Sequence, residues 1–243
     1  MPRANRYTLS GRVCHITQRC HDQAFLLRFA RDRDAYRARL REALKAFGVH
    51  LLSYVVTSNH VHLLTLGDDL SALSRMMQTV AGESAQAYNR RKERSGAFWS
   101  DRYHATMVQR GSHLWACLRY IDLNMVRAGA VGHPADWEWT GWRELMGLRQ
   151  RYRLLDLDEL ITLLEEPTVA AFRARYGTMV ADALQRQELQ RQPRWTESVA
   201  VGSRGYVKEA EDVLRAQGLR LRTVVEETGD GAWVLRESES SYG

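Results

Sequence analysis

Hydrophobic residues recur along this chain with two different periods, and the switches between them outline its elements. In GRVCHITQRC (11–20) apolar and polar residues alternate and include β-branched members, which predicts a strand near Val13–Gln18. RDRDAYRARLREALKAFG (31–48) places Tyr36, Leu40, Ala43, Leu44 and Phe47 on one helical stripe, with Gly48 as its stop. VHLLSYVVTS (49–58) and HVHLLTLG (60–67) read as two strands joined by a tight turn at Ser58 and Asn59. A long helix follows over 69–96, with Leu70, Leu73, Met77, Val80, Ser84 and Tyr88 inward and a basic cluster at its end. YHATMVQ (103–109) is a further strand, and GSHLWACLRYIDLNMVRAG (111–129) is a helix between a Ser112 cap and Gly129. The order β-α-β-β-α-β-α predicts an α+β fold of ferredoxin-like (split β-α-β) type, an antiparallel sheet with helices on one face.

Near residue 150 the pattern changes. LLDLDELITLLEE, PTVAAFRARYG and MVADALQRQELQRQ read as short helices, and 193–218 as a loop followed by a helix. LRLRTVVEE and GAWVLRES can pair as a small hairpin across TGDG, ahead of a polar, mobile tail. The expectation is a domain over 1–150 and a mainly helical accessory region over 151–243.

Composition narrows the class. The chain has 243 residues with 44% hydrophobic and 26% charged, ordinary for a soluble globular protein. No apolar run approaches the ~20 residues needed to cross a bilayer, and the basic start MPRANRYTLSGR lacks the hydrophobic block of a secretory signal. Cys14, Cys20 and Cys117 are too few and scattered for a disulfide framework or zinc knuckle, and read as buried free thiols. These features lead to the expectation of a cytoplasmic protein with no membrane partner. The net charge of +6 is unevenly placed. Residues 1–153 hold 24 of the 35 basic and 13 of the 29 acidic side chains, a surplus of eleven, which leaves a deficit of five beyond them. A basic first part suits a polyanionic partner, although a solvated surface accounts for the same charge.

Candidate chemistry sits in TSNHVHLL (57–64). Side chains alternate along a strand, so His60 and His62 point the same way, ~7 Å apart along the backbone. They can converge on one ion or one phosphate; a solvent-facing pair is the plainer alternative. In LRYIDLNMVRAG (118–129), Tyr120, Asn124 and Arg127 share one helical face. That is a poor core stripe and a good reactive one, unless the tyrosine merely reaches to solvent from an amphipathic helix.

NHVHLL (59–64), FWSDRYHATMV (98–108) and RYIDLNMVRAGAV (119–131), in this order and spacing, resemble the single-tyrosine HUH transposases. The similarity is greatest to the REP-associated tyrosine transposases and covers roughly residues 5 to 145. It implies a nuclease and strand transferase acting on single-stranded DNA near palindromic hairpins, with DNA in single-stranded or hairpin form as its partner. Tyr120 then corresponds to the nucleophile, His60 and His62 to paired metal ligands, and Asn124 to a third ligand for Mg²⁺ or Mn²⁺. A nucleoid-associated monomer is expected, with dimers as the other form found among mobile-element relatives. The chain departs from the family in Thr57 and Ser58 for the usual Met-Pro, in Met125 for the proline after the asparagine, and in Arg19-Cys20-His21 for an Arg-Gly-Asn loop. Loss of that proline lets the tyrosine helix run further. NRRKERSGAFWSDRYH (89–104) joins Arg90, Arg91, Lys92, Arg94 and Arg102 to Phe98, Trp99 and Tyr103, a mixture suited to single-stranded DNA. Arg3, Arg6 and Arg12 form a basic arm that can lie along a hairpin stem, and Arg19 and Arg127 complete the DNA-contact candidates. Trp-rich DWEWTGW (136–142) is expected to pack at the domain edge. The competing class is a hairpin DNA-binding protein with little catalysis.

Overall fold

In the computed structural model, which describes residues 7–218 and 222–238, β1 (Val13–Arg19) runs between β3 (His60–Leu66) and β4 (His104–Val108), antiparallel to both. β2 (His50–Val56) pairs antiparallel with the far side of β3. The order β2-β3-β1-β4 is that of a split β-α-β sheet. Its crossovers are α1 (Ala30–Phe47) and α2 (Leu70–Arg91). α1 ends as its sequence dictates: Gly48 takes a left-handed φ of 63° and its N–H closes on the Leu44 carbonyl. Asp69 caps α2 by accepting from the Ser71 N–H.

The α+β class and the antiparallel core are as expected, but helices cover both faces of the sheet rather than one. Cys14, Ile16, Val61, Leu63, Ala105 and Met107 face α1 and α2, where Tyr36, Leu40, Met76 and Val80 complete a core. Val13, Leu64, Leu66 and Val108 face the opposite way, onto Leu114, Trp115, Leu118 and Ile121 of α3 (Ser112–Asp122). The cause lies in the strands. Where apolar residues occupy both phases of the alternation, neither face can be left to water.

The helix expected over 111–129 is divided. α3 stops at Asp122, Leu123 takes φ −78° and ψ 2°, and a single turn, α4 (Asn124–Arg127), follows. Here the chain does not extend the tyrosine helix despite the missing proline. The Tyr120 carbonyl instead accepts a hydrogen bond from the Arg127 guanidinium at 3.3 Å. Trp139 and Trp142 then straddle the open edge of β2, one in each core, with a bridge between Val55 and Thr140. This covers an edge strand with indoles, as the DWEWTGW stretch led us to expect.

Residues past 150 build onto the same sheet. α6 (Leu157–Leu163) and α7 (Val169–Gln185), which follow the short α5 (Trp142–Leu145), bring Leu160, Phe172, Tyr176 and Val180 against α3. The Phe172 ring stacks on Trp115 at 5.6 Å. α7 is one helix where two were expected, because Gly177 is accommodated inside it. After α8 (Arg194–Glu197), the three-residue β5 (Ala200–Gly202) pairs parallel to β4. α9 (Arg204–Ala216) leads to the hairpin of β6 (Thr223–Glu227) and β7 (Trp233–Glu237), and β7 pairs with β5. The hairpin matches its expected position; the polar tail from residue 239 lies outside the described residues. All three cysteines are buried free thiols.

Gly141 marks the closest approach between the tryptophan segment and the sheet. A methyl group there would stand 2.7 Å from Ser53 Oγ and 3.0 Å from the Tyr54 backbone nitrogen. Gly141→Ala is expected to destabilise the fold by ~1–3 kcal/mol, as overpacking against backbone does. A urea midpoint unchanged by the substitution would show that this contact is not tight.

Candidate functional site

Strand alternation decides what meets α3. Val61 and Leu63 occupy the face of α1 and α2, so His60 and His62 emerge on the face of α3. Their rings lie edge to face with centroids 4.9 Å apart. His62 is buried, whereas His60, at the strand end, is partly exposed. Asn124 reaches back from α4, and its Nδ2 lies 3.0 Å from His62 Nε2. Its carboxamide also touches the His60 ring. The Tyr120 ring stands edge-on to His62 at 6.0 Å, with the Arg127 guanidinium 4.2 Å from its centroid. The paired imidazoles, the amide and the phenol are therefore neighbours.

Behind them stands a residue that sequence reasoning missed. His15 of β1 meets His62 edge to edge, the two rings within 10° of coplanar and 5.0 Å apart, with its Nε2 2.8 Å from His62 Nδ1. Its own Nδ1 lies 2.8 Å from the Trp195 carbonyl oxygen. The Trp195 ring also packs against the phenol, 6.2 Å from Tyr120. No local signal marked this partnership, because 47 and 180 residues separate His15 from its two partners.

Burial governs the protonation of the site. It holds His15 down to about 3 and, with the nearby charges of Arg19 and Arg127, His60 down to about 4. His62 is pushed well below its usual value by burial and by its two imidazole neighbours. All three rings are neutral near pH 7, the form in which imidazole donates a lone pair to a metal. Burial raises Tyr120 above the ordinary phenol value, and the Arg127 charge opposes that rise. Among the described residues no three of His, Cys, Asp and Glu cluster to hold an ion. A third donor would have to be the Asn124 amide. It already lies against both rings, and either end of an amide can be turned to face them. An oxygen-preferring divalent cation fits such a set with ligand positions left for water and phosphate.

Residues 9–124 match the family model described as transposase, IS200 like. This segment includes the sheet core, both histidines, Tyr120 and Asn124. Over these residues the chain is similar to the IS200-like transposases. No curated protein matches the chain significantly. Solved structures similar to it include a REP-associated tyrosine transposase bound to a REP hairpin, 19% identical over 65% of this chain and 93% of that one, with a TM-score of 0.49. Another is a candidate transposase from Deinococcus radiodurans R1, 17% identical over 43% of this chain and 84% of that one, with a TM-score of 0.33.

The basic residues expected at a DNA interface fall into groups. Arg19 is exposed and lies opposite His60 in the β1–β3 register, and Arg127 lies over the phenol. Arg90, Lys92 and Arg102 are exposed. Arg91 is engaged by Asp32, Arg94 by Asn89 and the Ala97 carbonyl, and Arg12 by Glu209 and the Tyr206 ring. Arg12 thus ties β1 to α9. Arg3 and Arg6 lie outside the described residues. The expected aromatic platforms are core instead: Phe98 and Tyr103 are buried, and the Trp99 indole donates to the Ala81 carbonyl at 3.0 Å. Exposed aromatic rings near the histidines are those of Phe25 and Phe29, at 65% and 56%; a third, Tyr152, lies in the later part of the chain. Their loop is anchored beside the histidines by Leu27 N–H to the Ser58 carbonyl and by Asn59 to the Gln23 carbonyl. Lys92 Nζ lies 5.4 Å from the Phe29 ring centroid. Among the described residues no helix is long and apolar enough to cross a membrane.

The depressed imidazoles couple stability to pH. Unfolded histidine takes up a proton near ~6.5, but folded His60 and His15 do so only at about 4 and about 3. The unfolded chain binds more protons between these limits, so the stability present above pH ~6.5 drains away as pH falls toward 4. Urea midpoints should decline from pH 7 to pH 4.5, and less steeply for His60→Asn. Midpoints that stay level across that range would contradict the burial of these rings.

Proposed function

We propose that the chain is a divalent-metal-dependent transposase that cleaves and rejoins single-stranded DNA beside hairpins through a tyrosine-linked intermediate. The observation that carries this reading is the meeting of Tyr120 with His62 and Asn124, drawn from a helix and a strand far apart in sequence. The hairpin part of the reading rests on the resemblance of NHVHLL and RYIDLNMVRAGAV to the REP-associated group.

His60 and His62 would hold the ion through ring nitrogens, and Asn124 through its amide oxygen. Held there, Mg²⁺ or Mn²⁺ would neutralise charge on the phosphodiester and orient it for in-line displacement. Tyr120 supplies the attacking oxygen. Its hydroxyl loses a proton as the bond to phosphorus forms; the scissile P–O3′ bond breaks, and the departing 3′-oxygen takes up a proton. The 5′-phosphate is left on Tyr120 and the other strand ends in a 3′-hydroxyl. The ester retains the energy of the bond it replaced, so a second 3′-hydroxyl can reverse the step without ATP. Arg127, over the ring and hydrogen-bonded to the Tyr120 carbonyl, favours the phenolate and holds the turn that carries Asn124.

Arg19 lies where a phosphate approaching His60 would pass. Arg90, Lys92 and Arg102 would extend the track, with Phe25 and Phe29 as stacking surfaces for unpaired bases. Purified protein is incubated with labelled hairpin-bearing single-stranded DNA and Mn²⁺, and a protease-sensitive covalent adduct is sought. The parent chain should form it; Tyr120→Phe should bind the DNA and form none. An adduct that survives Tyr120→Phe defeats the assignment. Cleavage without adduct would indicate hydrolysis, and binding alone a DNA-binding module.

Arg19→Ala offers a second, independent check. Removing one phosphate contact should lower the slope of log affinity against log salt by ~0.7 for single strands. An unchanged slope would remove Arg19 from the interface.

A further inference from the structure

His15 has no part in the chemistry described so far, yet it is fully buried in contact with the ring that Asn124 faces. Its surroundings leave little freedom. The Trp195 oxygen is a carbonyl and can only accept, so the His15 Nδ1 that lies 2.8 Å from it carries the hydrogen. The neutral ring then has a lone pair at Nε2. His62 Nδ1, 2.8 Å away, must donate, because two lone pairs at that distance would repel. His62 Nε2 is thereby left as a lone pair on the side of Asn124, whose Nδ2 donates to it at 3.0 Å. Thr106 Oγ1, on β4 directly opposite His15, lies 3.2 Å from the same Trp195 oxygen, though its single hydrogen has a nearer acceptor in the Ser198 carbonyl at 2.7 Å.

We infer that His15 is a positioning residue: a chain of hydrogen bonds from the Trp195 carbonyl through His15 locks His62 in the Nδ1–H tautomer and presents its Nε2 lone pair to a divalent cation. The inference rests on the reading of His60, His62 and Asn124 as a metal site. It also gives the residues beyond 150 a role in the site, because the segment around α8 supplies the carbonyl at which the chain of bonds begins. A ligating imidazole anchored through its second nitrogen is the usual arrangement in metal sites, and loss of the anchor costs 10–100-fold in affinity.

Two substitutions separate the links. His15→Gln keeps an acceptor at the former Nε2 position and loses the donor to Trp195. His15→Asn keeps that donor and leaves His62 Nδ1 without an acceptor. His15→Phe removes both. Long-range ¹⁵N–¹H spectra of histidine-labelled, metal-free protein distinguish a protonated from an unprotonated ring nitrogen, and Mn²⁺ electron paramagnetic resonance titrations report affinity. In the parent chain His62 should be protonated at Nδ1. His15→Phe and His15→Asn should lose this preference and bind Mn²⁺ ~10–100-fold more weakly, whereas His15→Gln should hold both near the parent values. If His15→Phe does not fold, the contrast between Gln and Asn decides. A parent His62 protonated at Nε2, or a folded His15→Asn with unaltered tautomer and Mn²⁺ affinity, overturns the inference. A parent chain that binds no Mn²⁺ defeats the metal reading instead, and the ring-nitrogen spectra alone then judge the hydrogen-bond chain.

Discussion

Antiparallel pairing of β1 with β3 is the constraint on which the site depends. Its register sets Thr17 opposite His62 and Arg19 opposite His60, and it stands His15 diagonally behind His62. A slip of one residue would send both paired histidines into the aliphatic core shared with α1 and α2. The register is held by the apolar residues between them: Val61 and Leu63 have no exposure to water and fit only that core. Hydrophobic burial on one face thus places the polar chemistry on the other.

The second face is closed by α3 and by residues from beyond 150, and this closure gives the site its electrostatic character. Buried imidazoles remain neutral, a buried phenol resists ionisation, and the Arg127 and Arg19 charges hold the imidazoles lower still while opposing the rise of the phenol. Each buried nitrogen must then find a partner, since an unsatisfied polar group in such surroundings costs ~1–3 kcal/mol. The carbonyls of Trp195 and Ser198 meet that need for His15, Thr106 and His104. The segment that answers these needs also extends the sheet through β5, so the later part of the chain is structurally continuous with the four-stranded core.

What the sequence revealed, and what it concealed, follows from the range of each interaction. His60 and His62 were legible because a strand's two-residue period puts them on one side within a single short stretch. Tyr120 and Asn124 were legible through helical spacing, although the break at Leu123 was not, since it depends on how Arg127 packs over the ring. His15 carried no local signal; its partners reach it only through the fold. β5 escaped notice as three residues that become a strand only because β4 and β7 flank them. Phe98 and Tyr103 looked like stacking platforms by composition and proved to be core, while Phe25 and Phe29 stand exposed on a loop whose course is set by Ser58 and Asn59. The helices on two faces were foreshadowed in the doubly apolar strands, had both phases of the alternation been given equal weight.

The central claim is that a cation binds between the two imidazoles of β3 and the Asn124 amide, within reach of Tyr120. Crystals grown with Mn²⁺ and measured with X-rays above and below the manganese absorption edge locate such an ion directly. The account predicts one anomalous peak bounded by His60, His62 and Asn124, next to the Tyr120 hydroxyl. Manganese bound elsewhere on the chain, with those three side chains unligated at saturating concentration, would contradict it.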